Sequence, residues 1–341
     1  MDSKKLACAV IALGMAYGCS SSPAGFTFPP RDETCSDPTA VPCATDTPAA
    51  ETARTVEVVE TFADRTLTYV VSTIQLPEAT PDPDGDGPQR SRAAGFNVDS
   101  QDSGNGSMAL DANCEQFNQD FVSVTDANHV GVDNALQGLV GTIEGLLDAE
   151  DCPGMMTAGC LDANLQDQIT SGSLLLVIEV TGVNDFMYDS SITMQMHLAE
   201  VPGGGMPMAG SGGGLAGGQM FSSMMALGTP VDGDIFAGRL RASTSLLPLT
   251  ITAGGFDLAL NITQAQVRFN ITENALSTGA IGGVITVDAL VEAAAGIMPG
   301  IEDTVRSVVE SVADVTPTSA DPAVCEALSL GLTFTGVDAA L

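Results

Sequence analysis

Ten side chains able to bind a cation or transfer a proton are concentrated between residues 111 and 134. They are Asp111, Asn113, Glu115, Asn118, Asp120, Asp126, Asn128, His129, Asp133 and Asn134. A histidine beside a carboxylate can act as a general base, and two carboxyl groups can divide the acid and base roles between them. Asp and Asn also dominate turns and helix caps, and an amphipathic stretch follows at Ala135. The sequence favours this structural role, and an envelope hydrolase that uses these acidic residues, acting on glycan, is the alternative.

A second acidic motif is Asp82-Pro83-Asp84-Gly85-Asp86-Gly87. It resembles the start of the Asp-x-Asp-x-Asp-Gly calcium loops of EF-hands and thrombospondin type 3 repeats. The resemblance implies that Asp82, Asp84 and Asp86 are monodentate calcium ligands and that Gly87 permits the sharp turn. The position at which an EF-hand supplies its bidentate glutamate is Ala93 here. The motif therefore favours a solvated acidic turn, and a calcium-dependent adhesion module is the alternative function.

The N-terminal segment has the pattern of an export signal. Two lysines precede an apolar run from Leu6 to Ala16, and Gly18-Cys19 is followed by three serines. This pattern resembles the lipobox of bacterial lipoproteins, which implies cleavage after residue 18 and a lipid on Cys19. The apolar run is shorter than the roughly 20 residues that a membrane-spanning helix needs. By the same resemblance, Ser20 implies sorting to the outer membrane, with the orientation, periplasmic or outer-surface, left open.

Six cysteines remain beyond Cys8 and Cys19, and an even number in an exported chain predicts disulfides. They are Cys35, Cys43, Cys114, Cys152, Cys160 and Cys325. Equal short spacings favour Cys35–Cys43 and Cys152–Cys160 as local loops, because short loops close readily, and leave Cys114–Cys325 as a long bridge. A zinc site is disfavoured because the sequence has no Cys-x-x-Cys and no histidine near a cysteine pair.

The charge of the chain limits its partners. The formal net charge is −32, and every cationic side chain beyond residue 18 is an arginine. Such a surface repels phosphate backbones and anionic lipid headgroups, which argues against nucleic-acid binding and against a polybasic membrane patch. The remaining expectations are attachment to a membrane through the lipid anchor and an unspecified protein or glycan partner.

The composition divides the chain into three parts. Residues 1–18 are the predicted signal peptide, and residues 19–54 are a tether rich in Pro, Thr, Ser and acidic residues, which cannot repay the entropy of ordering. Residues 55–341 form the predicted domain. Two segments within it, near 77–107 and 202–218, are rich in Gly, Pro, Asp or Ser and are predicted to be loop insertions.

The domain is predicted to be mainly β because apolar residues recur with a period of two. The predicted strands are 55–62, 66–76, 174–183, 192–199, 247–252, 256–262, 266–272 and 328–334. In the last of these, Leu328, Leu330, Leu332 and Phe334 share one face, which is typical of a half-buried strand. His197 is predicted to face solvent. We expect β-sandwich-like antiparallel sheets with a few helical insertions, with an α+β fold as the alternative.

Three helices are predicted among the strands. Leu136, Leu139, Val140, Ile143 and Leu147 follow the i, i+3, i+4, i+7 spacing of an amphipathic helix, and Asp133 or Asn134 is its expected cap. The same spacing recurs over 301–312, and 287–295 is a shorter candidate. Each apolar stripe is expected to pack against a sheet.

Taken together, these features predict a lipid-anchored cell-envelope protein that binds or scaffolds rather than catalyses. The acidic composition is similar to that of uncharacterised envelope lipoproteins of high-GC Gram-negative bacteria. No cofactor is expected apart from the calcium of the alternative function.

Overall fold

The computed structural model describes residues 64–76, 92–100, 114, 120–124, 130–140, 159–253, 256–297, 300, 302–321 and 323–341. All of them belong to one compact unit, Ala63–Leu341. The predicted signal, Cys19, the tether, and the cysteines Cys35 and Cys43 lie outside the described residues. Within the described ranges, no helix has the length and apolar character needed to cross a membrane.

Strands account for most of the described chain. In chain order they are β1 (Arg65–Gln75), β2 (Arg92–Ala93), β3 (Phe121–Ser123), β4 (Val130–Val132), β5 (Leu175–Val183), β6 (Tyr188–Glu200), β7 (Gln219–Met220), β8 (Ser222–Phe236), β9 (Arg239–Ala253), β10 (Phe256–Ile271), β11 (Ala275–Thr286), β12 (Val315–Pro317) and β13 (Cys325–Ala340). The described helices with both ends defined are α1 (Cys160–Ser171), α2 (Val287–Ile297) and α3 (Glu302–Glu310). The prediction of a mainly β protein with a few helices is confirmed.

The main sheet closes on itself. Strands β1, β5, β6, β8, β9, β10, β11 and β13 are antiparallel neighbours in that order, and β13 then pairs with β1 from Tyr69↔Asp338 to Gln75↔Thr333. The eight strands therefore form a barrel-like sheet in which each strand lies beside its successor. The alternation of apolar residues predicts one buried face for each strand, but it does not distinguish a closed sheet from a sandwich of two sheets.

Apolar side chains fill the inside of the closed sheet. Val267, Phe269 and Ile271 on β10 and Leu330, Leu332 and Phe334 on β13 alternate along their strands and are at most 3% exposed. Phe269 meets Phe334 edge to face, with ring centroids 5.8 Å apart. Between them, on β11, a Cβ on Gly279 would lie 2.7 Å from the Phe334 ring. The interior is thus a packed core that can act as a rigid scaffold.

Strand β10 joins two strands that the sequence predicts separately, 256–262 and 266–272. Gln264 has a φ of 50°, and the register against β11 shifts between Thr263 and Gln266. This irregularity moves the alternation by one residue, so Ile262 and Val267 both belong to the main core although their numbers differ in parity.

A second apolar cluster involves the predicted helices. α2 and α3 agree with the helices predicted over 287–295 and 301–312, and residues 136–140 are helical as expected. The cluster contains Leu139, Val291, Val309 and Leu328 together with the disulfide of Cys114 and Cys325, whose Cα atoms are 5.1 Å apart. The predicted Cys114–Cys325 bridge is therefore present, and it links the β13 end of this cluster to a residue far earlier in the chain.

Helix α1 is an element that the sequence analysis missed. Its buried Leu165 and Ile169 are four residues apart, but the surrounding sequence is polar, which weakens the amphipathic signal. Its first residue, Cys160, is disulfide-bonded, and the predicted partner Cys152 lies outside the described residues. The helix ends at Gly172, which has a φ of 86° and donates its backbone N–H to the carbonyl of Ile169.

The glycine-rich segment 202–218 is held against β1 and α1. The backbone N–H of Leu215 donates to Ser72 Oγ over 2.7 Å. The amide nitrogen of Gln166 donates to the carbonyl oxygens of Ser72 and Gly213, each over 3.1 Å. The segment contains turns and one isolated bridge, between Ala209 and Leu215, and β7 follows it and pairs with the end of β13.

A small sheet of β2, β3 and β4 packs on the outside of the main sheet. β2 lies inside the segment 77–107 that the sequence predicts as a loop insertion. The small sheet approaches β11 and β13 closely at two glycines. A Cβ on Gly331 would overlap the carbonyl of Ala94, and a Cβ on Gly282 would lie 2.8 Å from Cδ2 of Phe96. The two glycines therefore make room for this second layer.

Candidate functional site

The outer face of β8, β9 and β10 carries a grid of polar side chains. Asp234 on β8 lies opposite Arg241 on β9, and Arg241 lies opposite Arg268 on β10. Directly opposed residues of antiparallel strands project from the same face. The next row contains Ser243 opposite Gln266. Carboxylate, guanidinium, hydroxyl and amide groups are therefore placed side by side on a rigid sheet.

The small sheet supplies a second wall beside this grid. The ring of Phe96 lies under the Arg268 guanidinium, with 4.9 Å between the guanidinium carbon and the ring centroid. Arg268 also donates to Ser123 Oγ over 3.2 Å and is 5% exposed. Phe96 accepts a backbone hydrogen bond from Asp133, which fixes this wall to β4.

Between the two walls lies a groove of about 390 Å³. It is lined by Gly95, Phe96, Asn97 and Val132 of the small sheet and by Asp232, Gly233, Asp234, Arg241, Ala242, Ser243, Gln266, Val267 and Arg268 of the main sheet. Its volume is within the range of about 300–1,000 Å³ that small-molecule sites occupy. The groove offers both hydrogen-bond donors and acceptors to a ligand.

Exposed aromatic side chains border the groove. Phe236 follows Asp234 on the outer face of β8, and Tyr188 lies opposite Phe236 on β6. The two rings meet edge to face with centroids 5.5 Å apart, and they are 58% and 53% exposed. The guanidinium carbon of Arg241 lies 5.5 Å from the Phe236 ring centroid, which connects this aromatic pair to the polar grid.

The described carboxyl groups of the predicted acid/base cluster, Asp120 and Asp133, are buried and do not line this groove. Among the described residues of the predicted set, Asp120 is 5%, Asp133 1% and Asn134 2% exposed. Asp133 Oδ2 accepts backbone N–H bonds from Val98 over 2.6 Å and from Asp99 over 3.4 Å, whereas its Oδ1 has no hydrogen-bond partner. The other members of the set, including His129, lie outside the described residues.

Burial changes the ionisation of this cluster. Desolvation, reinforced by the charges of Asp99 and Asp120 and opposed by the Val98 N–H, raises the pKa of Asp133 to about 9. Desolvation also raises the pKa of Asp314 to about 6, although hydrogen bonds from Ser329 oppose the shift. A carboxyl that stays protonated at neutral pH fits a buried position without a cation.

Asn134 has the structural role that the sequence analysis favours. Its side-chain oxygen accepts the backbone N–H of Gln137 over 3.3 Å, as a helix N-cap does. Its side-chain nitrogen donates to the carbonyls of Ala94 and Gly331, over 2.8 and 3.3 Å. Asn134 thus joins the start of the helical turn at 136–140 to both sheets.

Of the remaining predicted chemical residues, His197 is described, and it does not line the groove. His197 Nδ1 lies 3.0 Å from Ser223 Oγ, and within the described chain this is the only hydrogen bond of the imidazole. Asp82, Asp84 and Asp86 lie outside the described residues, and the described residues contain no group of three His, Cys, Asp or Glu side chains that could hold a metal ion.

The groove residues were not predicted, although the sequence contains a pattern that indicates them. Arg239 and Arg241 alternate on one strand in a chain with few cations, and Asp232 and Asp234 alternate on another. Alternating polar residues indicate one polar face of a strand. The second wall could not be inferred, because it depends on tertiary packing of Phe96.

No protein-family model matches the sequence, and neither a curated protein nor a solved structure matches it.

Proposed function

We propose that this protein is a lipid-anchored protein of the cell envelope that binds a ligand in the groove between its two sheets and does not transform it. The observation that carries the proposal is the groove itself, which combines polar groups on rigid strands with an exposed aromatic border. Ligand sites are typically concave, with a few placed polar groups and aromatic side chains. The filled interior of the main sheet supports a scaffold role for the eight strands.

The lipobox and the tether support the location. A diacylated Cys19 would hold the protein at a membrane surface, and residues 19–54 would separate the domain from that surface. Ser20 supports sorting to the outer membrane. Mass spectrometry of the mature amino terminus tests this location, and a diacylglycerol on Cys19 is the expected result. Membrane-extracted protein with an unmodified Cys19 would refute the lipid anchor.

Burial removes Asp133 and Asp314 from the reach of a substrate, which argues against either as a catalytic group. The carboxylates that line the groove are Asp232 and Asp234, and Asp234 is ion-paired with Arg241. A general acid must lie within hydrogen-bond reach of its substrate. Asp133 is enclosed by the small sheet, and Asp314 accepts hydrogen bonds from both the backbone and the hydroxyl of Ser329. These contacts indicate a structural role for Asp133 and Asp314.

A bulky side chain in the groove tests the binding role. Ser243 is exposed on β9 and lines the groove, whereas Ser245, also exposed, lies two residues further along the strand and does not line it. Thermal-shift screening of the mature chain against neutral oligosaccharides, peptides and nucleotides should yield a ligand whose stabilisation is lost in Ser243→Trp and retained in Ser245→Trp. Equal stabilisation of both variants by every ligand would refute the groove as the site.

A further inference from the structure

The aromatic border of the groove is a fixed surface for one face of a ligand. Among the aromatic residues whose side chains are described, Tyr188 and Phe236 are the ones that remain largely exposed. They form a cross-strand pair on β6 and β8, and the edge-to-face contact and Arg241 hold the Phe236 ring. A ring that is already held in place loses little conformational entropy when a ligand stacks on it. This surface is therefore preorganised.

The polar part of the groove needs a ligand that both donates and accepts hydrogen bonds. Asp232 and Asp234 accept, Arg241 donates, and Ser243 and Gln266 can do both. Asp234 forms an ion pair with Arg241, so the two charges largely cancel. An apolar ligand would remove the hydrogen bonds that these side chains make to water and would supply none in return. Each polar group left without a partner would weaken binding.

Charge selects against acidic ligands. At the groove itself the carboxylates of Asp232 and Asp234 are balanced by the guanidiniums of Arg241 and Arg268, but the chain as a whole carries a net charge of −32. A nucleotide or an acidic polysaccharide would approach this surface against an unfavourable potential. A neutral ligand meets no such barrier.

We infer that the groove binds a neutral oligosaccharide, with one sugar ring stacked on Phe236 beside Tyr188 and the adjoining hydroxyl groups bound by Asp234, Arg241 and Gln266. A sugar ring presents C–H groups on its face and hydroxyls around its edge. The C–H face suits the electron-rich face of an aromatic ring, and the hydroxyls suit paired carboxylate and guanidinium groups. This inference rests on the proposed binding function and names the class of ligand.

Substitutions at Phe236 separate stacking from general apolar contact. Phe236→Leu keeps an apolar side chain but removes the planar ring, whereas Phe236→Tyr keeps the ring. Because Phe236 is 58% exposed, both variants should fold, which their thermal unfolding would establish. The protein is the mature chain in a zwitterionic detergent without a sugar headgroup, titrated calorimetrically with cellotetraose, maltotetraose and the tetramer of β-1,4-linked N-acetylglucosamine.

At least one tetrasaccharide should bind. Phe236→Leu should raise the Kd for that sugar by roughly five- to tenfold, as expected for the loss of one aromatic contact. Phe236→Tyr should bind within about twofold of the parent, since the ring contact is preserved. Absence of binding by all three sugars, or equal binding by Phe236→Leu, would overturn the inference. If a peptide or nucleotide instead shows stabilisation that is lost in Ser243→Trp, the oligosaccharide class is wrong and the binding function stands. If no ligand distinguishes Ser243→Trp from Ser245→Trp, both fail.

Discussion

Replacing Asp133 by Asn should make the protein more stable at alkaline pH. Asn has the shape of a protonated Asp, and its oxygen can accept the N–H bonds from Val98 and Asp99 that Asp133 Oδ2 accepts now. Its NH2 group would occupy the place of Oδ1, which has no partner in the folded protein. The variant cannot ionise, so it removes the free energy needed to keep this position neutral.

The magnitude follows from the linkage between proton binding and unfolding. In the unfolded chain Asp133 titrates near its ordinary value of 3.8, and in the folded chain its pKa is about 9. Between pH 5 and pH 8 the folded state therefore holds one proton more than the unfolded state, and the free energy of unfolding falls by about 1.4 kcal/mol for each pH unit, or about 4 kcal/mol in all. Asp314, with a pKa of about 6, lowers the free energy of unfolding by roughly a further 1 kcal/mol over the same range, mostly below pH 6.

The sign is the same for both groups. The stability that each protonated carboxyl contributes is fully present below the unfolded pKa of 3.8 and is lost as the pH rises towards the folded pKa. Asp133→Asn should remove most of the decline between pH 6 and pH 8 and leave the smaller contribution of Asp314 between pH 5 and pH 6.

Guanidinium unfolding under non-reducing conditions, at intervals from pH 5 to pH 8, measures this difference. Asp167→Asn, on the exposed face of α1, is the matched control because it removes the same charge without touching the cluster. The free energy of unfolding of Asp167→Asn should change with pH as it does in the parent chain. If the Asp133→Asn profile is also parallel to the parent, Asp133 is not held neutral in the folded protein and the reasoning is wrong.

Three further predictions concern other parts of the chain. Removing the Cys114–Cys325 bridge, which spans 211 residues, should lower the free energy of unfolding by on the order of 5 kcal/mol in the chain-entropy model, measured by comparing Cys114→Ala with the oxidised parent. Gly331→Ala should destabilise the protein by about 2 kcal/mol or more because its Cβ would overlap the Ala94 carbonyl; thermal unfolding at matched pH would test this, and an unchanged midpoint would contradict the close packing of the small sheet. Calcium, if the acidic motif binds it, should have a Kd on the order of 0.1–1 mM that Asp84→Asn weakens, and calorimetry showing no heat with the parent chain would leave the motif as an acidic turn.

Local patterns in the sequence determined the class of fold and several of its contacts. The period of two in 328–334 and the helical spacing in 301–312 both correspond to observed elements, because each records which side of a local element is buried. The Cys114–Cys325 bridge followed from the spacings of the other cysteines. A cap at Asp133 or Asn134 was predicted because such a side chain acts on the adjacent backbone, and Asn134 is the residue that accepts the Gln137 N–H.

Tertiary structure decided the elements whose local sequence argues against them. Strands β8 and β11 were not predicted, since both contain glycines, which weaken an isolated strand, and β8 also contains a proline. In β11 these glycines are required because Phe334, Phe96 and Ile262 occupy the space of their side chains. The groove likewise exists only because Phe96, from a distant segment of the chain, packs under the Arg268 guanidinium. The alternation of polar and apolar residues shows which face of a strand is polar. The second wall of the groove depends on packing between distant segments, which a local sequence pattern does not predict.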